Sequence, residues 1–204
     1  MHIVSAVKAE GLACVRGGRS VFAGLNLAVA AQSLLVVEGP NGSGKTSLLR
    51  ILAGLIPAAA GEVVFTTAAG QINDPEERGR LVGWLGHLDA AKPQLTPAEV
   101  LAFFARLYRA PSSPSGLLRE IGLERSATIP CVHLSTGQRK RLALARLKMS
   151  GRPVWLLVEP LASLDEHGKS LVLRFLREHC AAGGVAIIAS HEPLGLEASL
   201  LRLQ

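Results

Sequence analysis

The sequence predicts an α/β fold with an antiparallel β subdomain near its start and a helical insertion in its middle. An apolar strand, a glycine-rich loop and an apolar helical pattern follow one another over residues 33–55. A second apolar run, Val154–Val158, is typical of a strand buried on both faces, and it ends at Glu159. Between them, residues 90–134 show mainly helical spacing, which indicates an insertion into alternating strands and helices.

The remaining elements follow from local patterns taken in chain order. Alternating or apolar runs predict four further strands, over residues 10–16, 25–30, 61–65 and 81–86. The stretch GGRS joins the first two and is rich in turn-forming residues. Helical spacing recurs over residues 96–110, 117–123, 136–149 and 166–180. A last strand over 184–190 is followed by a short tail, and the stretch PSSPSG is predicted as a loop.

The composition is that of a folded protein with polyanionic partners. Of its 204 residues, 49% are hydrophobic and 19% are charged, and the formal net charge is +6. This length allows one large domain, and the charge favours nucleotides, nucleic acid or an anionic membrane surface. We expect no secretory signal and no membrane span, since no apolar run approaches the roughly 18 residues that a span needs. The three widely spaced cysteines predict neither a disulfide framework nor a metal site.

The stretch GPNGSGKT fits the phosphate-binding pattern G-x-x-x-x-G-K-[ST], between a strand and a helix as that pattern requires. Glycines let successive backbone N–H groups face a phosphate, and the helix N-terminus adds its positive dipole end. The predicted phosphate contacts are Gly39, Pro40, Asn41, Gly42, Ser43, Gly44, Lys45 and Thr46, with Ser47 as a further one. We expect Lys45 to contact the β- and γ-phosphates and the Thr46 hydroxyl to ligate Mg²⁺. A glycine-rich turn that only caps a helix is the alternative, but such a turn needs no lysine.

A second motif narrows the class of protein. The stretch LSTGQRKRLALARL, residues 134–147, resembles the signature of ABC-type ATPases, although LSTGQ alone also fits an ordinary helix N-cap. The order of phosphate loop, helical insertion, signature, buried strand and His191 is similar to that family over essentially the whole chain. The resemblance implies a P-loop NTPase fold with a single ABC ATP-binding domain. Its predicted parts are a RecA-like core over about 1–89 and 135–204 and a helical subdomain over about 90–134.

The resemblance also implies roles for residues outside the phosphate loop. It implies a homodimer with two ATP molecules between the subunits, in which each phosphate loop faces the signature of the other copy. Ser135 and Gly137 would contact the γ-phosphate across that interface, with Gln138 beside them. Glu159 would polarise the attacking water, His191 would contact the γ-phosphate, and Asp165 would belong to the loop that couples the two sites. Positioning and electrostatics of this kind are what phosphoryl transfer requires.

Within the family, two segments are similar to the ATP-binding subunits of heme exporters used in cytochrome c biogenesis. These are WLGHLDAAKPQLTPAEVLAFF, residues 84–104, and the signature segment itself. The resemblance implies ATP and Mg²⁺ as cofactors, an integral membrane subunit of the exporter as partner, and a peripheral location on the cytoplasmic face of the bacterial inner membrane. The segment 87–108 is expected to dock on that partner. We expect no nucleic-acid partner, because no aromatic stacking motif accompanies the basic residues of the signature helix.

Three positions depart from the family pattern. Val158 stands where an aspartate usually ends the Walker B strand, Leu88 where a glutamine is expected, and Arg16 near the place of an aromatic residue that stacks on adenine. If Val158 acts like a lost ligand of the metal shell, Mg²⁺-ATP affinity or turnover drops by about 10- to 100-fold. Whether His87 or Asp89 replaces the glutamine is open. These departures motivate an alternative function, a nucleotide-binding regulatory subunit with weak turnover.

Overall fold

The structure, a computed structural model, describes residues 3–86 and 91–204. Its strands are β1 Val4–Arg16, β2 Arg19–Ala30, β3 Leu34–Glu38, β4 Ala60–Thr67, β5 Gly70–Ile72, β6 Val82–Leu85, β7 Val154–Val158, β8 Val185–Ala189 and β9 Ser199–Arg202. Its α-helices are α1 Lys45–Leu52, α2 Pro75–Leu81, α3 Pro97–Tyr108, α4 Pro114–Glu120, α5 Thr136–Met149 and α6 Glu166–Ala181. The predicted α/β fold, with an antiparallel β part and inserted helices, is confirmed.

The chain divides into two compact units by its internal contacts. The first unit comprises the described residues up to Trp84 together with Arg152–Pro160 and Leu176–Gln204. The second comprises the described residues of Leu85–Gly151 together with Leu161–Phe175. The second unit is therefore wider than the segment 90–134 that we predict as a helical subdomain, and that division stays a prediction.

A five-stranded sheet in the first unit positions the candidate site. Its strand order is β6-β7-β8-β3-β9, and β7, β8, β3 and β9 pair in parallel. All five residues of β7 and of β8 are buried, which explains their unbroken apolar sequence. Because the carboxyl ends of parallel strands meet at one edge of a sheet, the segments that follow β7, β8 and β3 emerge side by side.

The second sheet of the first unit is antiparallel, with the order β2-β1-β4-β5. The predicted turn lies at Gly17 and Gly18, whose φ angles of 54° and 74° suit a tight hairpin between β1 and β2. The inner faces of both sheets and α1 share one apolar core, which includes Leu12, Phe65 and Leu156. The antiparallel sheet is thereby fixed against the same core as the parallel one.

The second unit is mainly helical, as the spacing of its apolar residues predicts. Thr96 caps α3 in a capping box with Glu99, and Pro97 occupies the first helical position. The helix predicted over 117–123 instead begins at Pro114, because Ser113 precedes a proline that suits the first turn. The predicted loop PSSPSG is therefore shorter than expected.

Two short strands and one short α-helix of the described residues were not predicted. These are β5, α2 and β9. Strand β9 lies in the stretch predicted as a tail, and it pairs with β3 through register partners such as Val36 and Leu200. Its residues are mostly exposed, so it shows no apolar run that a local pattern could detect. Pairing with a distant strand stabilises it instead.

A half-buried histidine of α6, His179, packs against the buried Trp155 in the first unit. The rings of Trp155 and His179 stack with centroids 4.0 Å apart and planes 8° from parallel. Burial lowers the pKa of His179 from 6.5 to about 4, although hydrogen bonding to the carbonyls of Val185 and Pro153 opposes this shift. The folded state therefore holds His179 neutral at pH values where an unfolded chain would protonate it.

Acid should destabilise the fold through His179. As the pH falls from about 6.5 to about 4, the unfolded chain binds a proton that the folded chain excludes, which costs about 3 kcal/mol in total. We expect the free energy of unfolding, measured by urea denaturation, to fall over this range. His179→Phe keeps a ring against Trp155 without a titrating group, so its pH dependence should be flatter. An equal slope in both proteins would contradict this assignment.

Candidate nucleotide-binding site

Three segments of the first unit meet at the carboxyl edge of its parallel sheet. The phosphate loop, Gly39–Thr46, follows β3, whereas Glu159 follows β7 directly and His191 follows β8 by two residues. Strands β7, β8 and β3 are neighbours in the sheet, and α1 packs against β7 and β8. The loop, a carboxylate and an imidazole are thus placed together by the strand order.

The backbone of the phosphate loop requires glycine at specific positions. Gly42 and Gly44 have φ angles of 87° and 96°, a region that L-residues with side chains rarely adopt. Gly44 also lies against β2, since a Cβ atom there would be 2.5 Å from Cγ1 of Val21 and 2.9 Å from Cδ1 of Phe22. These two β2 residues help to define the loop, and they could not be predicted from the sequence, because a contact across more than twenty positions leaves no local signal.

The side chains of the loop fit a polyphosphate. Lys45 is only 8% exposed, and its Nζ donates to the carbonyls of Gly39 at 2.6 Å and Pro40 at 3.0 Å, so the ammonium lies inside the loop. The Ser43 hydroxyl is buried and has no hydrogen-bond partner among the described residues. A buried hydroxyl normally has a partner, and phosphate oxygens are suitable acceptors for it. Thr46 and Ser47 lie half-buried in the first turn of α1, where free backbone N–H groups attract anions.

Replacing Gly44 with alanine should damage the loop more than replacing Gly42. Both changes place a residue with a Cβ atom in a left-handed conformation, which destabilises the protein by roughly 1 to 2 kcal/mol. Only Gly44→Ala adds a steric clash, because no atom lies within 4 Å of a Cβ at Gly42. We expect Gly44→Ala to lose about 1 to 3 kcal/mol more stability than Gly42→Ala, measured by chemical denaturation, and to bind ATP more weakly. Equal losses would show that β2 does not restrict the loop.

Glu159 and His191 form a direct pair. The distance between Oε2 of Glu159 and Nδ1 of His191 is 2.9 Å, and the side chain of Glu159 is 15% exposed. The φ angle of Glu159 is 47°, a strained value for a residue other than glycine, and its N–H donates to the carbonyl of Ala189 at 2.8 Å. Backbone strain at the end of a buried strand is typical of functional positions. The structure thus brings together the two residues predicted as catalytic.

The signature residues begin α5 in the second unit. The Ser135 hydroxyl accepts from the N–H of Gln138 at 3.2 Å, and Oε1 of Gln138 accepts from the N–H of Ser135 at 2.9 Å. This is a capping box, so the motif does serve as a helix N-cap. Ser135 is exposed, and its hydroxyl hydrogen stays available as a donor. A role in capping the helix is compatible with the predicted contact to a phosphate.

The loop after β7 contains the last predicted site residue. Asp165 accepts from the N–H of Gly168 at 2.8 Å and so stabilises the start of α6. Ser163 lies three positions before the first residue of α6. Its φ angle is 65°, which is a strained value for a residue other than glycine. A Cβ at Gly137 would lie 3.1 Å from the Ser163 carbonyl oxygen, so the loop and the signature are in close contact within the second unit. Glycine at position 137 allows that approach.

The departures from the family pattern have different structural settings. The side chain of Val158 is 2% exposed and belongs to the apolar core that β7 shares with α1 and β8. Arg16 lies exposed at the end of β1. Leu88, His87 and Asp89 lie outside the described residues. Among the described residues, no cluster of three or more histidine, cysteine, aspartate or glutamate side chains could hold a metal ion. Thr46 stays the predicted ligand for Mg²⁺.

The fold and the phosphate loop are those of a nucleotide-binding protein, and a protein-family model matches the chain in the same class. The model of the ABC transporter family matches residues 22–162, which is more than half of the chain. The chain belongs to the ABC transporter family, as an ATP-binding subunit.

Several relatives of this chain share one description, "Cytochrome c biogenesis ATP-binding export protein CcmA". The relative from Nitrobacter winogradskyi is 44% identical over 95% of this chain and 96% of its own length. The relative from Chelativorans sp. is 45% identical over 93% of each chain. The relative from Paramagnetospirillum magneticum is 45% identical over 94% of this chain and 90% of its own. The predicted similarity to this group is confirmed.

Solved structures with the same fold are also ABC ATPase domains. One is described as the ATP-binding subunit of an ABC transporter, with a TM-score of 0.82 and 20% identity over 97% of this chain and 85% of its own. Another is the dimeric, post-hydrolysis ATP-binding cassette MJ0796 bound to ADP and Pi, with a TM-score of 0.81 and 23% identity over 97% of this chain and 94% of its own. At these identities the likeness concerns the fold. Within the part of the chain that the structure describes, no helix is long and apolar enough to cross a bilayer.

Proposed function

We propose that this chain binds and hydrolyses ATP with Mg²⁺ and that this drives heme export for cytochrome c biogenesis. The observation that carries the catalytic part is the 2.9 Å contact between Glu159 and His191 at the sheet edge where the phosphate loop begins. The export part is supported by the relatives, which are described as cytochrome c biogenesis export proteins.

In this proposal each residue acts by position and charge. The loop residues Gly39 to Thr46 and Ser47 hold the phosphates, and Lys45 neutralises the charge of the β- and γ-phosphates. Thr46 would hold Mg²⁺, which would supply further stabilisation of the developing charge. Glu159 accepts a proton from the attacking water while His191 fixes the orientation of its carboxylate through the Nδ1 contact.

The functional unit is a nucleotide-sandwich homodimer on the cytoplasmic face of the inner membrane. In it, Ser135, Gly137 and Gln138 of one copy contact the ATP held by the other, and the Asp165 loop couples the two sites. The membrane partner is an integral, CcmB-like subunit, onto which the segment 87–108 docks. Two exposed apolar residues of α3, Phe103 and Leu107, lie one turn apart in that segment and support such an interface.

The test is co-expression of the full chain with the integral membrane subunit of its exporter. We expect the two to purify together from detergent-solubilised membranes, with two copies of this chain per complex and ATP-dependent dimer formation. A chain that stays monomeric and separate from that subunit in the presence of ATP would contradict the assignment. The alternative, a regulatory subunit with weak turnover, is not favoured by relatives that are described as export proteins.

A further inference from the structure

The loop between β7 and α6 contains two strained residues. Glu159 and Ser163 have φ angles of 47° and 65°, which residues other than glycine rarely adopt. Such backbone conformations persist only where surrounding contacts hold them. The contacts made by the loop therefore influence where its first and last residues, Glu159 and Asp165, are placed.

A lysine of the signature helix holds the middle of this loop. The Nζ atom of Lys140 in α5 donates to the carbonyl of Ala162 at 2.9 Å, and the two residues are 22 positions apart in the sequence. Both belong to the second unit, and Lys140 is half-buried. A hydrogen bond from a charged donor is about twice as strong as one between neutral groups. Because Ala162 lies between the two strained residues, this bond fixes the loop at its centre.

The same side of α5 approaches the loop at a second point. Gly137 precedes Lys140 by three positions, which places the two on one face of the helix. A Cβ at Gly137 would lie 3.1 Å from the carbonyl oxygen of Ser163 and 3.8 Å from Cδ2 of Leu164. Glycine permits this approach but offers no side chain to attract the loop. Lys140 supplies such an attraction one turn further along the helix.

Other hydrogen bonds of the loop are local. The N–H of Leu164 donates to the carbonyl of Leu161 at 3.2 Å, and Oδ1 of Asp165 accepts from the N–H of Gly168 at 2.8 Å. These bonds shape the loop and the start of α6, but they do not connect the loop to α5. The bond from Lys140 makes that connection.

We propose that Lys140 is a positioning residue for ATP hydrolysis, which holds the loop 159–165 so that Glu159 keeps the orientation that activates water. This inference rests on the proposed function, because it takes Glu159 as the group that accepts the proton. Lys140 acts through the backbone of Ala162 and not through the nucleotide. Its removal should therefore lower turnover and leave ATP binding, which the phosphate loop provides, unchanged.

The experiment is steady-state ATP hydrolysis by the complex of the full chain with its membrane subunit. Lys140→Met removes the ammonium and keeps an unbranched side chain, so kcat should fall about 10- to 100-fold through misplacement of the loop. The KM for ATP, and the dissociation constant from titration, should stay within about threefold. Lys140→Arg keeps a charged donor and should retain at least about a third of the unmodified turnover.

Lys148→Met is the matched control on the same helix. Lys148 contacts Oε1 of Glu120 at 2.8 Å, so the same substitution breaks an ion pair of similar exposure away from the loop. We expect its kcat to stay within about threefold of the unmodified value. A loss of turnover in both variants would show that any weakening of α5 suffices, and would contradict a specific role for Lys140.

Hydrogen exchange gives a second measurement that does not depend on activity. In Lys140→Met without nucleotide, the amides of residues 161–168 should exchange about tenfold faster, because the loop opens more often. The amides of β8, Val185–Ala189, should exchange as in the unmodified chain. Equal acceleration in both segments would indicate general destabilisation and would contradict the proposed role.

The kinetic results also separate this inference from the proposed function. If Lys140→Met keeps its kcat while Glu159→Gln loses turnover, the inference fails and the proposed function stands. A Lys140→Met variant that binds ATP more than tenfold more weakly would show that Lys140 acts on the nucleotide, and the inference fails again. If the complex with the unmodified chain does not hydrolyse ATP, the proposed function fails, and the inference fails with it.

Discussion

Replacing Glu159 with glutamine should lower ATP turnover by about 10²- to 10⁴-fold, because the variant loses the group that accepts the proton of the attacking water. ATP binding should change little, since Glu159 follows β7 and lies outside the phosphate loop. Glutamine keeps the size of the side chain and an acceptor for His191, so the fold should persist. The measurement is steady-state hydrolysis by the complex with its membrane subunit, beside ATP affinity from titration.

The matched control for this change is Glu166→Gln. Glu166 is 95% exposed at the start of α6, so the substitution removes the same charge at a position without a role in the proposed chemistry. We expect its turnover to equal that of the unmodified chain. Turnover of Glu159→Gln within about threefold of this control would show that another group activates the water.

Replacing Val158 with aspartate should raise Mg²⁺-dependent turnover by tenfold or more, because a carboxylate would then stand at the end of β7, where the family usually has one. The side chain is buried in the apolar core, so an aspartate there should also reduce stability by about 1 to 3 kcal/mol in the absence of nucleotide. We expect Mg²⁺-ATP to offset part of that loss, since metal binding stabilises the folded state. The measurements are hydrolysis by the membrane complex and the melting temperature with and without Mg²⁺-ATP.

Val158→Asn separates the charge of the aspartate from its shape. Asparagine is nearly isosteric with aspartate but carries no negative charge, so it should share the loss of stability without the gain in turnover. Unchanged turnover in Val158→Asp, with the protein still folded, would show that this site manages without the carboxylate. That result would show that Thr46 and the nucleotide bind the metal without a carboxylate at position 158.

Much of the fold could be predicted because its signals are local. The runs at Val154–Val158 and 184–190 are long enough and apolar enough to predict fully buried strands, and the Thr96-Pro97 pair marks the start of α3. Strand β9 could not be predicted, because it is short, mostly exposed and stabilised by pairing with β3. The phosphate loop carries its own sequence signal, whereas the contact of Val21 and Phe22 with Gly44 depends on tertiary packing. The pairing of Arg16 with Arg19 depends on the register of a hairpin, which the letters GGRS suggest but do not specify.

The contact between β2 and Gly44 also bears on the order in which this protein is made. Residues 21 and 22 leave the ribosome before the phosphate loop does, and the β1–β2 hairpin needs only nearby residues to pair. The surface against which the loop must settle can therefore exist before the loop itself is synthesised. A chain rearranged so that its first thirty residues are translated last would have to form the loop without that surface, and we expect it to acquire nucleotide binding only after its synthesis is complete.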